Sequence, residues 1–459
     1  MSLSARERTA SSSLKALKLD LLRTGAGLPL ASVRSGGQRV RGAAAACGAE
    51  IAANLDSFWK ESRADDGPID LIEMFSGCGG MSAGFLAVNS LVRAFRPILA
   101  VDIDDIANRT YALNLALRPL HADVAGLAQN RGRLAEILRK SGRRPLNPLV
   151  LIGCAPCQGF SSHRNEEGEG DVRNHLFVQF ARLAAILLPD VVVVENVPEL
   201  LSTRHWKYFR HAQRILRHAG YFVHLCVLNM AEFGVPQERF RAVMLAMKRP
   251  FVPPKGFLNR PEFKTVRDAI GFLPIIKAGE RRADDQMHFT AAHAESTLSV
   301  IRRVPKDGGN RPVDSGPACL RRAAARQGRG AYDDVYGRLP WDRPAITITA
   351  YARNPASGRF VHPEQDRGLS IREAACLQGF PKAYRFAGTL DAAFRQIGNA
   401  VPPVFSAYLG CHVLGELLAK GGRTLAMDEG IGKPVGPSFS RLIPALKAGR
   451  QLADVAAAG

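Results

Sequence analysis

The chain has 459 residues, 46% of them hydrophobic, and a formal net charge of +20. This composition is ample for more than one domain with a hydrophobic core. The charge favours a polyanionic partner such as nucleic acid over a merely basic surface, because Lys and Arg release counterions from phosphates. Eight cysteines without paired spacing exclude a disulfide framework and indicate a reducing compartment. Without an apolar signal segment or an apolar run of ~18 residues, we expect a cytoplasmic protein and no membrane span.

The first half of the chain contains a basic extension followed by an alternation of strands and helices. Residues 1–67 are rich in Ala, Ser and Gly, and we expect partial order there, with helices around 14–23 and 50–61. From residue 68 to about 248, predicted strands alternate with predicted helices. This rhythm is typical of an α/β fold.

The second half loses this rhythm and then regains order. A Pro-rich stretch at 248–254 punctuates the chain, and the residues up to about 341 are rich in Arg, Gly and Pro. Order returns with a strand-like alternation at 345–349, a helix at 370–377 and a helix at 403–418. We therefore predict four parts: an extension (1–67), a catalytic and cofactor-binding domain (68–248, completed by 390–425), a small domain (249–389) and a loose tail (426–459).

A glycine-rich turn follows the first predicted strand, at 70–75. This turn, Ser76-Gly77-Cys78-Gly79-Gly80, lets a ligand approach the backbone at a helix N-terminus. The second strand, 98–101, ends at Asp102, which is placed to bind two ribose hydroxyls, and Asp123 is placed to read an adenine amino group. By itself the glycine-rich sequence is equally consistent with an ordinary tight turn that binds no ligand, and it lacks the GxGxxG order of dinucleotide-binding proteins. Together with the two acids it favours an adenosine-containing cofactor.

A Pro156-Cys157 step follows a predicted buried strand at 148–152. Three interpretations of Cys157 stay open: a buried structural cysteine, half of a Cys154-x-x-Cys157 redox or zinc pair, and a nucleophile with an activated thiol. A zinc site lacks a second CxxC pair and a His cluster, so we expect no metal. Loops at the carboxyl ends of parallel strands are where α/β sheets place their chemistry, which favours the nucleophile.

A carboxylic acid follows the next predicted strand. Four valines lead directly into Glu195, so it starts from a dry environment that favours its protonated form over a solvated carboxylate. A protonated Glu donates a hydrogen bond to a ring nitrogen. A nucleophile at Cys157 and an acid at Glu195, on neighbouring strand ends, can attack and protonate one ring together.

Two further segments carry polar side chains near these strands. Arg239 and Arg241 alternate at the start of an apolar strand, so we expect them on one face, suited to phosphate or ring-oxygen contacts; a solvated charged edge is the alternative. The polar, glycine-containing segment 161–174, next to Cys157, is typical of a mobile lid.

These motifs, in this order, resemble the DNA cytosine-5 methyltransferase family. Phe75 with the glycine turn, Pro156-Cys157-Gln158, Glu195-Asn196-Val197 and Gln237-Glu238-Arg239-Phe240-Arg241 are similar to its cofactor, nucleophile, acid and arginine motifs. Further on, three stretches resemble the motifs that follow its recognition region and end its fold: Arg367 to Glu373, Leu377 to Pro381 and Gln396 to Pro403. The resemblance covers about 70–418, apart from 250–341.

The resemblance implies a Rossmann-like S-adenosylmethionine-dependent methyltransferase sheet with a smaller target-recognition domain. It implies transfer of a methyl group from S-adenosylmethionine to C5 of a cytosine flipped out of duplex DNA, through a covalent bond from Cys157 to C6, with S-adenosylhomocysteine as the product. We expect a monomer, and a companion restriction endonuclease is a partner that the resemblance leaves open. The Arg-rich segment 250–341 takes the place of the target-recognition region.

The resemblance assigns roles residue by residue. The implied catalytic residues are Cys157, Glu195, Arg239 and Arg241. The implied cofactor contacts are Phe75, Ser76, Gly77, Gly79, Gly80, Asp102, Ile103, Asp123, Pro156, Asn399 and Ala400. The implied DNA contacts are Gln158, Ser161, Arg164, Arg173 and Gln237.

Three other functions stay open. A tRNA cytosine-5 methyltransferase would share the fold and the catalytic residues, but the long Arg-rich segment favours duplex DNA. A catalytically silent DNA-binding member is disfavoured by the intact set of Cys157, Glu195 and Arg241. A dehydrogenase is disfavoured by the missing GxGxxG.

Overall fold

The computed structural model describes residues 37–61, 67–156, 175–327, 332, 334–419, 430–450 and 452. Within them, seven strands form one sheet: β1 (Ile69–Met74), β2 (Phe95–Asp102), β3 (Leu120–His121), β4 (Leu149–Gly153), β5 (Val191–Asn196), β6 (Phe222–Asn229) and β7 (Phe240–Met247). Their order across the sheet is β3-β2-β1-β4-β5-β7-β6. Strands β1 to β5 run parallel, and β7 is antiparallel to both β5 and β6.

Helices connect and follow the strands. Those in the first half of the chain are α1 (Gly37–Ala53), α2 (Leu55–Glu61), α3 (Gly80–Ala87), α4 (Asp105–Asn114), α5 (Val124–Gln129), α6 (Arg131–Lys140), α7 (Leu176–Leu187) and α8 (Trp206–His218). The later helices are α9 (Val266–Ile270), α10 (Glu295–Arg303), α11 (Ala318–Gln327), α12 (Ile371–Leu377), α13 (Leu390–Asn399), α14 (Pro403–Leu418) and α15 (Ile443–Lys447). The predicted α/β class is therefore confirmed.

The valine run of β5 is continuous because both faces of the sheet are covered. Val191 and Val193 point into a core shared with α1 and α14, whereas Val192 and Val194 point into a core shared with α7 and α8. Alternate residues of a strand face opposite sides, so a strand buried on both faces needs apolar residues at every position.

The N-terminal extension contributes a core helix. Val40, Ala44, Cys47 and Ile51 are buried along α1, against α14. Arg41 on α1 forms a two-pronged ion pair with Glu416 on α14, with N–O distances of 2.7 and 3.0 Å. The helix expected at 50–61 is instead two helices, and α1 begins earlier, at Gly37; the expected helix at 14–23 lies outside the described residues.

The strand expected at 345–349 does not form. Ala345 makes a single bridge with Gln237, and the following residues are not paired in a strand. The reason is that side chains take up the backbone groups of Ile348: its N–H donates to Gln237 Oε1 at 3.0 Å, and its carbonyl accepts from Arg239 at 3.0 Å.

The second half of the chain packs in two places. Helices α9, α12 and α13 share one apolar cluster with α3 and α4 of the sheet domain. A separate cluster in the remainder of the small domain contains Val300, Ile301, Val304, Val335 and Val361. The boundaries at 249 and 389 stay a prediction, and the packing places the residues around α12 with the sheet domain.

The C-terminal segment differs from the expected loose tail. Val435, Phe439 and Leu442 are buried against the side of the sheet that carries α8. Burial of these apolar side chains favours an ordered segment here. The stretch Leu390–Leu418 is apolar and long enough to cross a membrane, but 94% of its most apolar window is buried, as in a core helix.

Candidate active site

The loop after β1 and the end of β2 lie together at the carboxyl edge of the sheet, where we expect the cofactor cleft. The N–H of Gly77 donates to one carboxylate oxygen of Asp102 at 2.8 Å, and the N–H of Asp104 donates to the other at 2.8 Å. Burial raises the pKa of Asp102, and these two N–H groups counteract it. The Ser76 N–H donates to Val101 O at 3.0 Å, and Phe75 adopts a positive φ of 55°, which turns the chain from strand to loop.

The three glycines of this loop have different surroundings. A Cβ on Gly79, whose φ is 85°, would lie 2.8 Å from Tyr111, and a Cβ on Gly80 would lie 2.4 Å from the carbonyl of Val401. These two glycines therefore permit close packing. Beside Gly77, by contrast, no atom of the described residues other than its chain neighbours lies within 4 Å of a Cβ position, so within this part of the chain its backbone faces open space.

The residues expected to contact adenine and those of the terminal motif have different environments. Ile103 is 66% exposed directly after Asp102, an uncovered apolar side chain at the rim of the cleft. Asp123 is exposed and caps α5, accepting from Ala125 and Gly126 N–H groups at 3.0 and 3.3 Å. Ala400 is buried against the start of α3, 3.2 Å from a Cβ position on Gly80, and Asn399 is exposed. The terminal motif thus returns to the glycine loop.

A buried acid lies beneath the loop, in β1. Glu73 is 3% exposed and accepts a hydrogen bond from the Ser82 hydroxyl, which in turn accepts from the Tyr111 hydroxyl at 3.0 Å. Burial raises the pKa of Glu73 to about 8, so it keeps its proton at neutral pH. This hydrogen-bonded group ties β1 to α3 and α4 and supports the loop from below.

Glu195 lies at the end of β5, with an ion pair at one carboxylate oxygen and a hydrogen bond at the other. The side chain is 3% exposed. Arg241 Nε is 2.9 Å from Oε1, and the Cys154 thiol donates to Oε2 at 2.9 Å. The environment predicted for Glu195 from the valine run did not include the positive charge of Arg241. Arg241 is itself 13% exposed, so the pair borders the surface while Glu195 is shielded from water.

The acid motif is joined to the loop that carries the Pro-Cys step. The Asn196 amide donates to the carbonyl of Ala155 at 3.2 Å, and its own oxygen accepts from the Val197 N–H at 2.8 Å. Pro156 is half-buried and is the last residue described before a gap. The predicted residues Cys157, Gln158, Ser161, Arg164 and Arg173 lie outside the described residues, as does the expected lid at 161–174.

Arg239 does not accompany Arg241. It is 2% exposed, and it donates to the carbonyls of Ile348, Gly398 and Ala400 at 3.0, 3.0 and 3.4 Å. The two arginines have different partners: Arg241 reaches Glu195, whereas Arg239 ties the start of β7 to the terminal motif. These contacts agree with a supporting role for Arg239, and the prediction that the two share a face stays a prediction.

Gln237 is in the interior, although we expected it at DNA. It is fully buried, and its amide donates to Leu377 O at 2.8 Å and to Gln378 Oε1 at 2.7 Å. Its oxygen accepts from Ile348, as described above. With both ends of the amide bonded inside the protein, its geometry supports a structural role.

Replacing Arg239 tests this supporting role. Arg239→Met should lower the free energy of unfolding by about 2–3 kcal/mol, because several buried carbonyls lose a charged donor. Urea denaturation followed by circular dichroism measures the change, with Arg109→Met, an exposed arginine on α4, as the control. Unfolding energies that agree within 0.5 kcal/mol for the two variants, roughly the effect of a neutral surface change, would contradict the role.

Sequence reasoning missed three polar side chains that shape the site. From the sequence, Cys154 was considered only as a partner of Cys157, and Asn196 only as part of the acid motif. Gln378, fully buried, accepts from Gln237 and donates to Ala400 O at 2.7 Å. For Asn196, the pattern of a polar residue after a buried strand could have indicated a bond to the neighbouring strand end.

The sequence and the fold of this chain were compared with those of known proteins. The profile of the family described as C-5 cytosine-specific DNA methylase matches residues 69–412. Type II methylase M.HgiDII of Herpetosiphon aurantiacus is 33% identical over 341 residues, 72% of this chain and 91% of its own length. Type II methyltransferase M1.HphI of Haemophilus parahaemolyticus is 34% identical over 352 residues, 75% of this chain and 86% of its own. A crystal structure of a prophage-encoded DNA modification methyltransferase (E. coli) superposes with a TM-score of 0.57 at 23% identity, covering 76% of this chain and 99% of its own, which shows the shared fold.

The chain belongs to the C-5 cytosine-specific DNA methylase family. It is a DNA cytosine methyltransferase with the Rossmann-like sheet of S-adenosylmethionine-dependent enzymes, and the predicted family is confirmed. Membership implies S-adenosylmethionine as methyl donor and DNA as substrate.

Proposed function

We propose that this enzyme methylates C5 of cytosines flipped out of specific duplex DNA sequences, through a transient covalent bond between Cys157 and C6 of the ring. The observation that carries the proposal is the pairing of Glu195 with Arg241 at 2.9 Å, at the end of the strand next to the one that leads to Cys157. The hydrogen bond from Asn196 to Ala155 joins these two strand ends. An acid and a guanidinium are thus gathered at the edge of the sheet where the strand that precedes Cys157 in the sequence ends.

The chemistry follows from these three groups. C5 of cytosine is a poor nucleophile, and attack of the Cys157 thiolate on C6 moves the C5–C6 double-bond electrons so that C5 becomes enamine-like. Glu195 takes up a proton from solvent and donates it toward N3, which offsets the charge that develops there, while Arg241 contacts the ring oxygen. After C5 has taken up the methyl group, its own proton passes to water, N3 returns its proton to Glu195, and Cys157 leaves C6 as a thiolate while the C5–C6 double bond reforms. Flipping costs a few kcal/mol, which pocket contacts must offset.

The cleft beside the glycine loop fits an adenosine-containing group. An acceptor carboxylate at Asp102, open space beside Gly77 and the exposed apolar side chain of Ile103 match the hydroxyls, backbone approach and flat ring of such a molecule. S-adenosylmethionine, when bound, supplies the methyl group. We propose that Phe75, Ser76, Gly77, Asp102, Ile103 and Asp123 hold it, with Pro156, Asn399 and Ala400 closing the cleft.

Target recognition is assigned to the Arg-rich part of the small domain. Several of its arginines are engaged within the domain: Arg282 pairs with Asp284 at 2.7 Å, and Arg303 pairs with Asp314 at 2.7 Å. Arg321, Arg322 and Arg326 on α11 are exposed and form no ion pair with any described residue. These three suit DNA phosphates, with a minority of such contacts reading guanine edges. The Type II names of the two relatives suggest a restriction–modification setting.

The ribose role of Asp102 can be measured directly. Asp102→Asn should weaken binding of S-adenosylhomocysteine about ten- to hundredfold, because a charged acceptor for hydroxyl donors is lost. Isothermal titration gives the dissociation constant without any need for DNA. Asp105→Asn, an exposed carboxylate on the neighbouring helix, is the control and should bind normally. An unchanged affinity in Asp102→Asn would remove it from this role.

Covalent trapping tests the mechanism. A duplex of varied sequence, synthesised with 5-fluorocytosine, retains fluorine at C5, so the proton-loss step cannot occur and the adduct persists. In the presence of S-adenosylmethionine we expect a protein–DNA species that survives denaturing electrophoresis. If this species is absent while ordinary DNA is methylated, the covalent mechanism is contradicted and the assignment of the enzyme class is unaffected.

A further inference from the structure

The segment after α14 folds back onto the sheet, beyond the residues that the family profile matches. Gly430 pairs with Leu225 of β6, and the N–H of Ile431 donates to the Leu225 carbonyl at 3.1 Å. Farther along, Val435, Phe439 and Leu442 are 4, 2 and 7% exposed. The segment is a packed part of the catalytic domain.

Its polar contacts concentrate on the turn that follows the acid motif. This 3₁₀ turn, Pro198–Leu201, contains Glu199, four residues after Glu195. One carboxylate oxygen of Glu199 accepts from the Phe439 N–H at 3.0 Å and from the Ser438 hydroxyl at 3.2 Å. Two backbone bonds add to these: Val435 N–H to Leu201 O at 3.1 Å, and Thr203 N–H to Gly436 O at 2.8 Å.

The other end of the segment reaches the arginine motif. Lys447 Nζ lies 3.5 Å from one carboxylate oxygen of Glu238, and Arg260 lies 3.1 Å from the other. Glu238 is three residues before Arg241. Residues 430–447 therefore touch the turn behind Glu195 and the residues in front of Arg241, the two side chains that pair in the site.

We propose that residues 430–447 form a C-terminal brace that fixes the placement of Glu195 relative to Arg241, with Glu199 and Ser438 as positioning residues for methyl transfer. The assignment rests on the proposed function of Glu195. Physically, β5 ends at Asn196, so the following turn has no ladder partners, and its internal bonds are few: Leu200 N–H to Val197 O and Ser202 N–H to Glu199 O. External bonds from the brace restrict that turn. A catalytic group displaced by about 1 Å can cost a hundredfold in rate.

Glu199 allows the brace to be tested without cutting the chain. Glu199→Ala removes the carboxylate that accepts from Ser438 and Phe439, and it deletes no backbone hydrogen bond within the turn Pro198–Leu201, called the acid turn below. We expect kcat to fall about three- to thirtyfold, with KM for DNA and for S-adenosylmethionine within about twofold of wild type. Glu199→Gln, which keeps a neutral acceptor, should restore most of the rate, and Ser438→Ala should give a smaller fall in the same direction. Ser440→Ala, an exposed hydroxyl two residues away, is the matched control and should behave as wild type.

Hydrogen–deuterium exchange of the peptide 195–203 supplies a readout that is independent of activity. In the full-length Glu199→Ala enzyme, we expect faster exchange in this peptide and unchanged exchange in β1 and β2. Unaltered exchange in 195–203, or a change in KM with kcat unaffected, would overturn the brace. If wild-type enzyme methylates no DNA, the proposed function fails, and the exchange experiment still decides whether the segment restrains the acid turn.

Discussion

Cys157→Ser should reduce methyl transfer at least about a thousandfold, because a serine hydroxyl is far less ionised than a thiol and cannot add to C6. The effect should appear in kcat, measured as incorporation of labelled methyl groups into duplex DNA of varied sequence. Binding of S-adenosylhomocysteine should stay near wild type, since the adenosine cleft is built from the β1 and β2 loops.

Cys154→Ser is the matched control for this thiol. Cys154 is half-buried and hydrogen-bonded to Glu195, so a hydroxyl can replace its donor and activity should largely persist. If Cys157→Ser stays active while Cys154→Ser is inactive, the nucleophile has been assigned to the wrong cysteine. Activity near that of wild type in both variants would contradict the covalent mechanism.

Glu195→Gln should lower kcat about 10²- to 10⁴-fold, the usual range for losing a group that transfers a proton in the transition state. Glutamine keeps the volume and can still contact Arg241 and Cys154, so the fold and the affinity for cofactor should be preserved. Single-turnover methylation measures the chemical step apart from product release.

The control for this change is Glu136→Gln, on the exposed surface of α6 and paired with Lys140. Its rate should equal that of wild type, because a surface ion pair contributes little. A Glu195→Gln enzyme that retains more than about a tenth of the wild-type rate would show that proton donation at this position contributes less than general acid catalysis usually does.

The positions of β1, β2, β4, β5 and β7 and the order of the motifs could be predicted from the sequence, because they depend on local pattern. The valine run located β5, although the strand continues through Glu195 and Asn196, whose backbones pair with Val243 and Ala242 of β7. The apolar pattern stops one residue before Glu195 because function, rather than packing, selects the side chains at the strand end.

Contacts between residues distant in the chain could not be predicted. Glutamine is usually found at the protein surface, and the burial of Gln237 depends on partners about 140 positions away, at Leu377 and Gln378. Arg239 likewise finds its acceptors at Ile348 and in the terminal motif. A buried polar side chain needs all its hydrogen bonds satisfied, and one sequence does not show where they come from.

The two chain extensions were underestimated for a related reason. In α1, Ala and Gly residues dilute the apolar periodicity, so Val40 and Ile51 did not stand out as core residues. The C-terminal brace is short and interrupted by Gly and Pro, so it shows no regular apolar pattern, and the burial of Val435, Phe439 and Leu442 depends on their packing against the sheet.

The most direct test of the central claim is mass-spectrometric detection of 5-methylcytosine after wild-type enzyme and S-adenosylmethionine are incubated with unmethylated duplex DNA and, in parallel, with total tRNA. We predict 5-methyldeoxycytidine in the DNA, its loss in Cys157→Ser, and no new 5-methylcytidine in the tRNA. Product confined to tRNA, or methyl groups found at a cytosine position other than C5, would contradict this account.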